Sequence, residues 1–166
     1  MNGAAARAAT ALIGDGVSLV VHNVHDLPLY HGDEEAAGLP TDVAALHDAV
    51  READGIVFFS PEYNSSLPAV TKNVIDWLSR DPSTWEGTGI TMVAMSPGGR
   101  AGLGAREHFE AIMPRQASRL FPTLGFGNYG ERVDDAGELS DAATLDELRD
   151  FIARFAEFCA APADDG

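Results

Sequence analysis

The chain has 166 residues, 45% of them hydrophobic, with 26 acidic against 11 basic residues and a net charge of −15. This fits one globular domain, expected over residues 1–160 with a disordered tail at 161–166, and it disfavours nucleic acid or anionic lipid as partners. No apolar run approaches the roughly 20 residues that cross a bilayer, and the opening Met1-Asn2-Gly3-Ala4-Ala5-Ala6-Arg7 lacks the pattern of a secretory signal. The one cysteine, Cys159, cannot form an internal disulfide or a multi-cysteine metal site, so a cytoplasmic location is expected. Ten of the basic residues are arginine and Lys72 is the only lysine. Adaptation to a salty cytosol and a GC-rich genome both account for that bias, and Lys72 is expected on a helix surface.

Asn2 to Ile13 is alanine-rich and reads as a helix that Gly14 and Gly16 end. Val17 to Val24 reads as a strand, Asp26-Leu27-Pro28-Leu29-Tyr30 as an ordered loop, and Asp33 to Glu35 as its solvated tip. Pro40 suits a first helical turn, after which Val43, Leu46 and Val50 share one face. Gly55-Ile56-Val57-Phe58-Phe59 is a continuous apolar run, as in a strand buried on both faces. A polar loop follows, then a helix turning Val70, Val74, Trp77 and Leu78 inward and stopping at Asp81-Pro82. Gly89 to Met95 is the next strand and Leu103 to Met113 the next helix. Ser118 to Leu124 is a strand that Pro122 confines to a sheet edge. Asp134 to Gly137 is a turn, Thr144 and Glu147 form a capping box, and Leu145, Leu148, Ile152, Phe155 and Cys159 make the core face of the last helix. The alternation predicts an α/β domain with a parallel sheet between helices.

Ligands of open parallel sheets bind beyond the carboxyl ends of the strands. Two loops leave such ends and enter helices, Ser60 to Pro68 and Ser96 to Gly102. The first offers an aromatic ring, two stiffening prolines and several donors and acceptors. Tyr63 and the backbone of residues 61–64 suit a flat ring with a hydrogen-bonding edge, such as a flavin. Other constellations carry less. His22, His25 and His31 lie near Asp33, Glu34 and Glu35, but His22 and His25 straddle a strand end, so no metal site is expected. Ser60, Ser65 and Ser66 lack a nucleophile elbow and His108 has no evident carboxylate partner, which argues against a hydrolase. Gly98 to Gly104 has neither the spacing nor the lysine of a P-loop or dinucleotide fingerprint.

The 20-residue block Pro61-Glu62-Tyr63-Asn64-Ser65-Ser66-Leu67-Pro68-Ala69-Val70-Thr71-Lys72-Asn73-Val74-Ile75-Asp76-Trp77-Leu78-Ser79-Arg80 resembles the signature of the NADPH-dependent FMN reductases, a group that includes quinone, azo-dye and chromate reductases. Asp26 to Tyr30 followed by Asp33, and Asp135-Ala136-Gly137-Glu138-Leu139, fit the same family, so the resemblance runs from about Asn2 to about Phe158. It implies a flavodoxin-like, doubly wound, three-layer α/β/α domain binding FMN noncovalently. NADPH or NADH would be the co-substrate and a quinone, flavin or similar small molecule the acceptor. Pro61, Glu62, Tyr63 and Asn64 would contact the isoalloxazine ring, largely through backbone groups. Ser96 would hydrogen-bond it, and Gly98 and Gly99 would let the backbone approach. Lys72, Asn73, Asp76 and Trp77 fall to scaffolding, while Arg100 and Arg106 are open to the nicotinamide phosphate, a subunit interface or plain solvation. No side chain is expected to act as a catalytic group, and a homodimer or homotetramer is expected by analogy.

Members of that family begin with a strand and a Gly-Ser-rich loop whose N–H groups hold the FMN phosphate at a helix amino terminus. Here Asn2 matches that loop's last residue, and the first, central strand is expected to be missing, so that Val17–Val24 and Gly55–Phe59 lack their shared partner. A start codon placed too late and a shortened relative both account for this, and the chain as written is expected to hold FMN poorly. A flavodoxin-type electron carrier and a degenerate non-flavin-binding relative are the alternative functions.

Overall fold

Strand β2 (Gly89–Met95) is buried along its whole length and organises the computed structural model, which describes residues 1–162. Strand β1 (Gly55–Phe59) runs parallel to it in register from Gly55 opposite Gly89 to Phe59 opposite Val93. On the other side β3 (Leu124–Phe126) pairs with Val93 to Met95, giving the order β1-β2-β3. Successive side chains of a strand point to opposite faces, and β2 divides them accordingly. Ile90, Met92 and Ala94 pack under α3 (Thr41–Arg51), α4 (Ala69–Leu78) and α5 (Leu103–Ile112). Val93 and Met95 pack under α1 (Asn2–Leu12) and α6 (Ala142–Ala160). Each large apolar side chain so buried contributes about 1.5–3 kcal/mol. The result is the expected three-layer α/β/α arrangement.

Several expectations are corrected. Residues 17–24 form no strand, and Val17, Val20 and Val21 are exposed. A β-rich sequence stays irregular when no ladder takes up its backbone N–H and C=O groups. For the same reason Gly55–Phe59 is half-buried instead of buried on both faces, because β1 is an edge whose outer side pairs with no strand among the described residues. The third strand begins at Leu124, later than expected. Residues 119–121 do run beside β2, with Ile90 N–H donating to Arg119 O and Phe121 N–H to Ile90 O, but Pro122 interrupts the ladder. Asp33 to Glu35 lie in a short helix, α2 (Gly32–Ala37), where their charges face the positive helix end and His31 caps it. Pro40 precedes α3 as its cap residue, α1 stops at Leu12 and α5 at Ile112, where Pro114 forces a 3₁₀ turn. Val70 and Leu145 are half-buried. Thr144 starts no capping box. Asp141 caps α6, accepting from Thr144 N at 2.9 Å and Thr144 Oγ1 at 2.5 Å, and these donors hold its carboxyl below the usual range. The expected tail falls on residues 163–166, outside the described residues.

Cys159 is half-buried, its thiol pushed up by burial, and it fills a notch where β1 and β2 both begin with glycine. A Cβ at Gly55 or Gly89 would lie 2.4 or 2.6 Å from Cys159 Sγ. The carboxyl end of α6 is held by Arg119, which donates to Phe158 O at 2.6 Å, Ala161 O at 2.7 Å and Gly87 O at 2.8 Å. Phe158 O is one of the carbonyls that a helix end leaves unpaired, and Gly87 O ties the same guanidinium to the start of β2.

Two stability measurements follow. Arg119→Ala strips charge-assisted bonds from the α6 terminus, and urea unfolding is expected to show a loss of about 2 kcal/mol. His47, buried in α3 and hydrogen-bonded to Thr84 Oγ1 at 2.7 Å, is held below its ordinary imidazole value by burial, with the Arg51 charge adding to this. Its neutral form therefore stabilises the fold fully above the unfolded value of about 6.5, and that contribution falls as pH drops through 6.5 toward the lower folded value. The urea midpoint is expected to decline from about pH 7 to about pH 5.5, and to decline less in His47→Gln.

Candidate functional site

Because β1 and β2 are neighbours and parallel, the loops that leave their carboxyl ends emerge side by side. Ser60 N–H donates to Val93 O at 3.0 Å, carrying the ladder one residue past β1. Ser96 N–H donates to Phe126 O at 3.0 Å and its carbonyl accepts from Tyr129 N at 3.1 Å, tying β2 to β3 at the same level.

The first loop is built from both ends inward. Buried Ser60 bonds Thr71 Oγ1 at 2.6 Å, and Leu67 is anchored in the core. Between them Tyr63 and Ser66 exchange two backbone hydrogen bonds of 3.0 Å, closing a turn whose central residues, Asn64 and Ser65, have φ of 51° and 61°. The turn displays Tyr63 with 59% of its surface exposed. In the second loop, Ser96 Oγ donates to Gly98 O at 2.9 Å and accepts from Gly102 N at 3.2 Å, so this side chain shapes its own loop. Gly98 and Gly99 are exposed and lie against β3. A Cβ on Gly127 would sit 2.8 Å from Gly98 O, and one on Gly125 2.2 Å from Ala101 O, so those two glycines let the loop settle there.

The two expected loops thus meet. Glu62 Oε2 accepts from Gly104 N at 2.7 Å and Ser66 Oγ bonds His108 Nδ1 at 2.6 Å, joining the first loop to the helix that the second loop enters. Pro61, Tyr63 and Asn64 belong to the first loop and Ser96, Gly98 and Gly99 to the second. The backbone N–H groups of Asn64, Ser65, Gly98 and Gly99 make no hydrogen bond among the described residues. An exposed aromatic ring, unspent donors and side-chain-free backbone fit a flat heteroaromatic cofactor. Asn2 arrives at the same end of the sheet by another route. Its amide donates to Met95 O at 3.3 Å and accepts from Met95 N at 2.9 Å, which sets the amino end of α1 beside the end of β2.

The expected scaffold residues hold the neighbouring loop. Asn73 accepts from Tyr30 N at 2.7 Å and donates to Pro28 O at 2.9 Å, and buried Trp77 donates to Pro28 O at 2.7 Å. Lys72 is paired with Asp76 one turn along α4, an ordinary helix-surface ion pair. Arg106 is tied to Ala101 O and Thr123 within its own neighbourhood, whereas Arg100 is exposed. Sequence reasoning missed the Glu62 and His108 contacts, which join residues 42 positions apart. It also missed Gly125 and Gly127, although two glycines around Phe126 in a strand were a signal of close backbone approach.

The family model for NADPH-dependent FMN reductases matches residues 1–125. A quinone reductase of Pseudomonas putida KT2440 is 33% identical over 157 residues, covering 92% of this chain and 84% of that protein. A quinone reductase of Escherichia coli K12 is 36% identical over 141 residues, covering 82% and 75%. Among solved structures, the flavoenzyme NAD(P)H:(acceptor) oxidoreductase FerB from Paracoccus denitrificans superposes with a TM-score of 0.77 at 24% identity, covering 96% of this chain and 89% of that one, a likeness of fold.

Gly127→Ala tests the role of close approach at the second loop. The added methyl meets backbone, so the Gly98–Gly99 segment must move, and FMN affinity by fluorescence titration is expected to fall about tenfold while the melting temperature drops only a few degrees.

Proposed function

Because this chain belongs to the NADPH-dependent FMN reductase family, we propose that the ledge formed by residues 61–64 and by Ser96, Gly98 and Gly99 holds the isoalloxazine ring of FMN. The protein is an FMN-dependent NAD(P)H oxidoreductase. Bound FMN supplies the chemistry, taking a hydride from the nicotinamide and passing electrons to an acceptor. The chain supplies position. Tyr63 offers its ring at the open side, while the N–H groups of Gly98 and Gly99 suit the polar edge of the cofactor. Ser96 keeps the second loop in the shape that presents them. The amino end of α1, set by Asn2, suits the phosphate, since helix amino termini attract anions. Hydride transfer of this kind asks for no nucleophile and no acid–base side chain.

A quinone is the acceptor class favoured by the names of the relatives. No described helix is long and apolar enough to cross a membrane, and we assign the protein to the cytoplasm as a homodimer or homotetramer. The outer edge of β1, which pairs with no strand among the described residues, is open to a further strand.

The observation that carries this reading is the bond from Gly104 N–H to Glu62, which ties the 60–68 loop to the first turn of α5, the helix that the 96–102 loop enters. The decisive experiment is NADPH oxidation with menadione, with and without added FMN. FMN-dependent turnover is expected, and Tyr63→Ala is expected to weaken FMN binding by about 1–2 kcal/mol through lost ring contact. Tight FMN binding with no NADPH or NADH oxidation would remove the reductase assignment.

A further inference from the structure

We propose that Glu62 and His108 are positioning residues that lock the Tyr63–Ser66 turn onto α5 and thereby set where the Tyr63 ring stands. The inference rests on the reading of that turn as flavin-facing.

The turn does not hold itself. Two successive non-glycine residues, Asn64 and Ser65, sit in the left-handed region, a conformation strained for any residue with a Cβ. Asparagine tolerates it better than serine. Among the described residues, the two backbone bonds between Tyr63 and Ser66 are the ones that close the turn. The Tyr63 side chain makes no hydrogen bond among the described residues and is mostly exposed, so the backbone alone decides its place.

Three contacts from α5 supply the missing constraint. Helix α5 begins at Gly102, which has no capping side chain, and Glu62 takes that role from 42 residues away by accepting the Gly104 N–H at 2.7 Å. A carboxylate there also meets the positive end of the helix. Gly104 carries the second contact, because a Cβ on it would lie 2.7 Å from Ser65 O and 2.9 Å from Ser65 C, so the strained residue lies directly on the bare first turn. The third comes one turn along the same face, where His108 Nδ1 meets Ser66 Oγ at 2.6 Å. The loop bearing Gly98 and Gly99 runs straight into α5. One rigid helix therefore joins both walls of the ledge, and their separation follows from its contacts with the turn.

Flavin-free protein gives a readout independent of turnover. Amide hydrogen exchange at Tyr63 and Ser66 is expected to quicken about tenfold in His108→Leu and in Ser66→Ala, the loss of one hydrogen bond. It is expected to stay near wild type in His108→Asn, whose amide reaches the Nδ1 position. Ser66→Ala combined with His108→Leu is expected to do no more than either alone, in exchange and in FMN affinity alike. Glu62→Ala is expected to loosen the turn and the first turn of α5 together. Wild-type exchange in both His108→Leu and Ser66→Ala, or additive effects in the double variant, overturns the clamp. FMN affinity that Tyr63→Ala leaves unchanged overturns the flavin reading instead, and the exchange rates still decide whether α5 holds the turn.

Discussion

Every group at the site takes its place from the carboxyl end of β2. Ser60 continues the ladder onto Val93, Asn2 grips both backbone groups of Met95, and Ser96 is tied to Phe126 and Tyr129. Three pieces of chain, distant in sequence, are brought to one level because each pairs with a polar backbone group at or just past the end of a strand that is wholly buried. Buried N–H and C=O groups demand partners, and the partners here are the beginnings of the loops that form the ledge.

Above that level, fit is achieved by leaving side chains out. Gly125 and Gly127 let the second loop lie on β3, and Gly104 lets the strained turn lie on α5. At the opposite end of the sheet Gly55 and Gly89 receive the Cys159 sulfur in the same way. These are close approaches of backbone or sulfur, for which a single added methyl has no room. The flexible parts of the ledge thus rest on the rigid ones through contact and hydrogen bonding, with little apolar burial of their own.

The chemistry assigned to the site suits such a construction. A reductase that borrows its reactivity from a bound ring needs geometry more than reactive side chains. The polar side chains close to the ledge are largely occupied in shaping it: Glu62 caps α5, Ser66 meets His108, Ser96 folds its own loop and Asn2 binds Met95. What remains unspent is backbone N–H and one exposed tyrosine ring, the groups that a planar cofactor with a hydrogen-bonding edge can use.

The chain order of helices and strands was legible because β2 and α4 carry local patterns, a continuous apolar run and an apolar stripe at helical spacing. The family was legible as well, since the block of residues 61–80 that carries it is contiguous and its composition is unusual. Where the outcome depended on a distant partner, local reading failed. Residues 17–24 have the composition of a strand and form none, because no neighbour completes their ladder. Gly55–Phe59 has the composition of a central strand and lies at an edge for the same reason. His108, for which the sequence offered no carboxylate partner, meets the Ser66 hydroxyl through the packing of α5. The amino-acid sequence by itself determined most of the helices and the strands β1 and β2, because propensity and periodicity are local properties. Tertiary structure alone decided who pairs with whom, since hydrogen bonds and close contacts between remote segments exist only once β2 has gathered them.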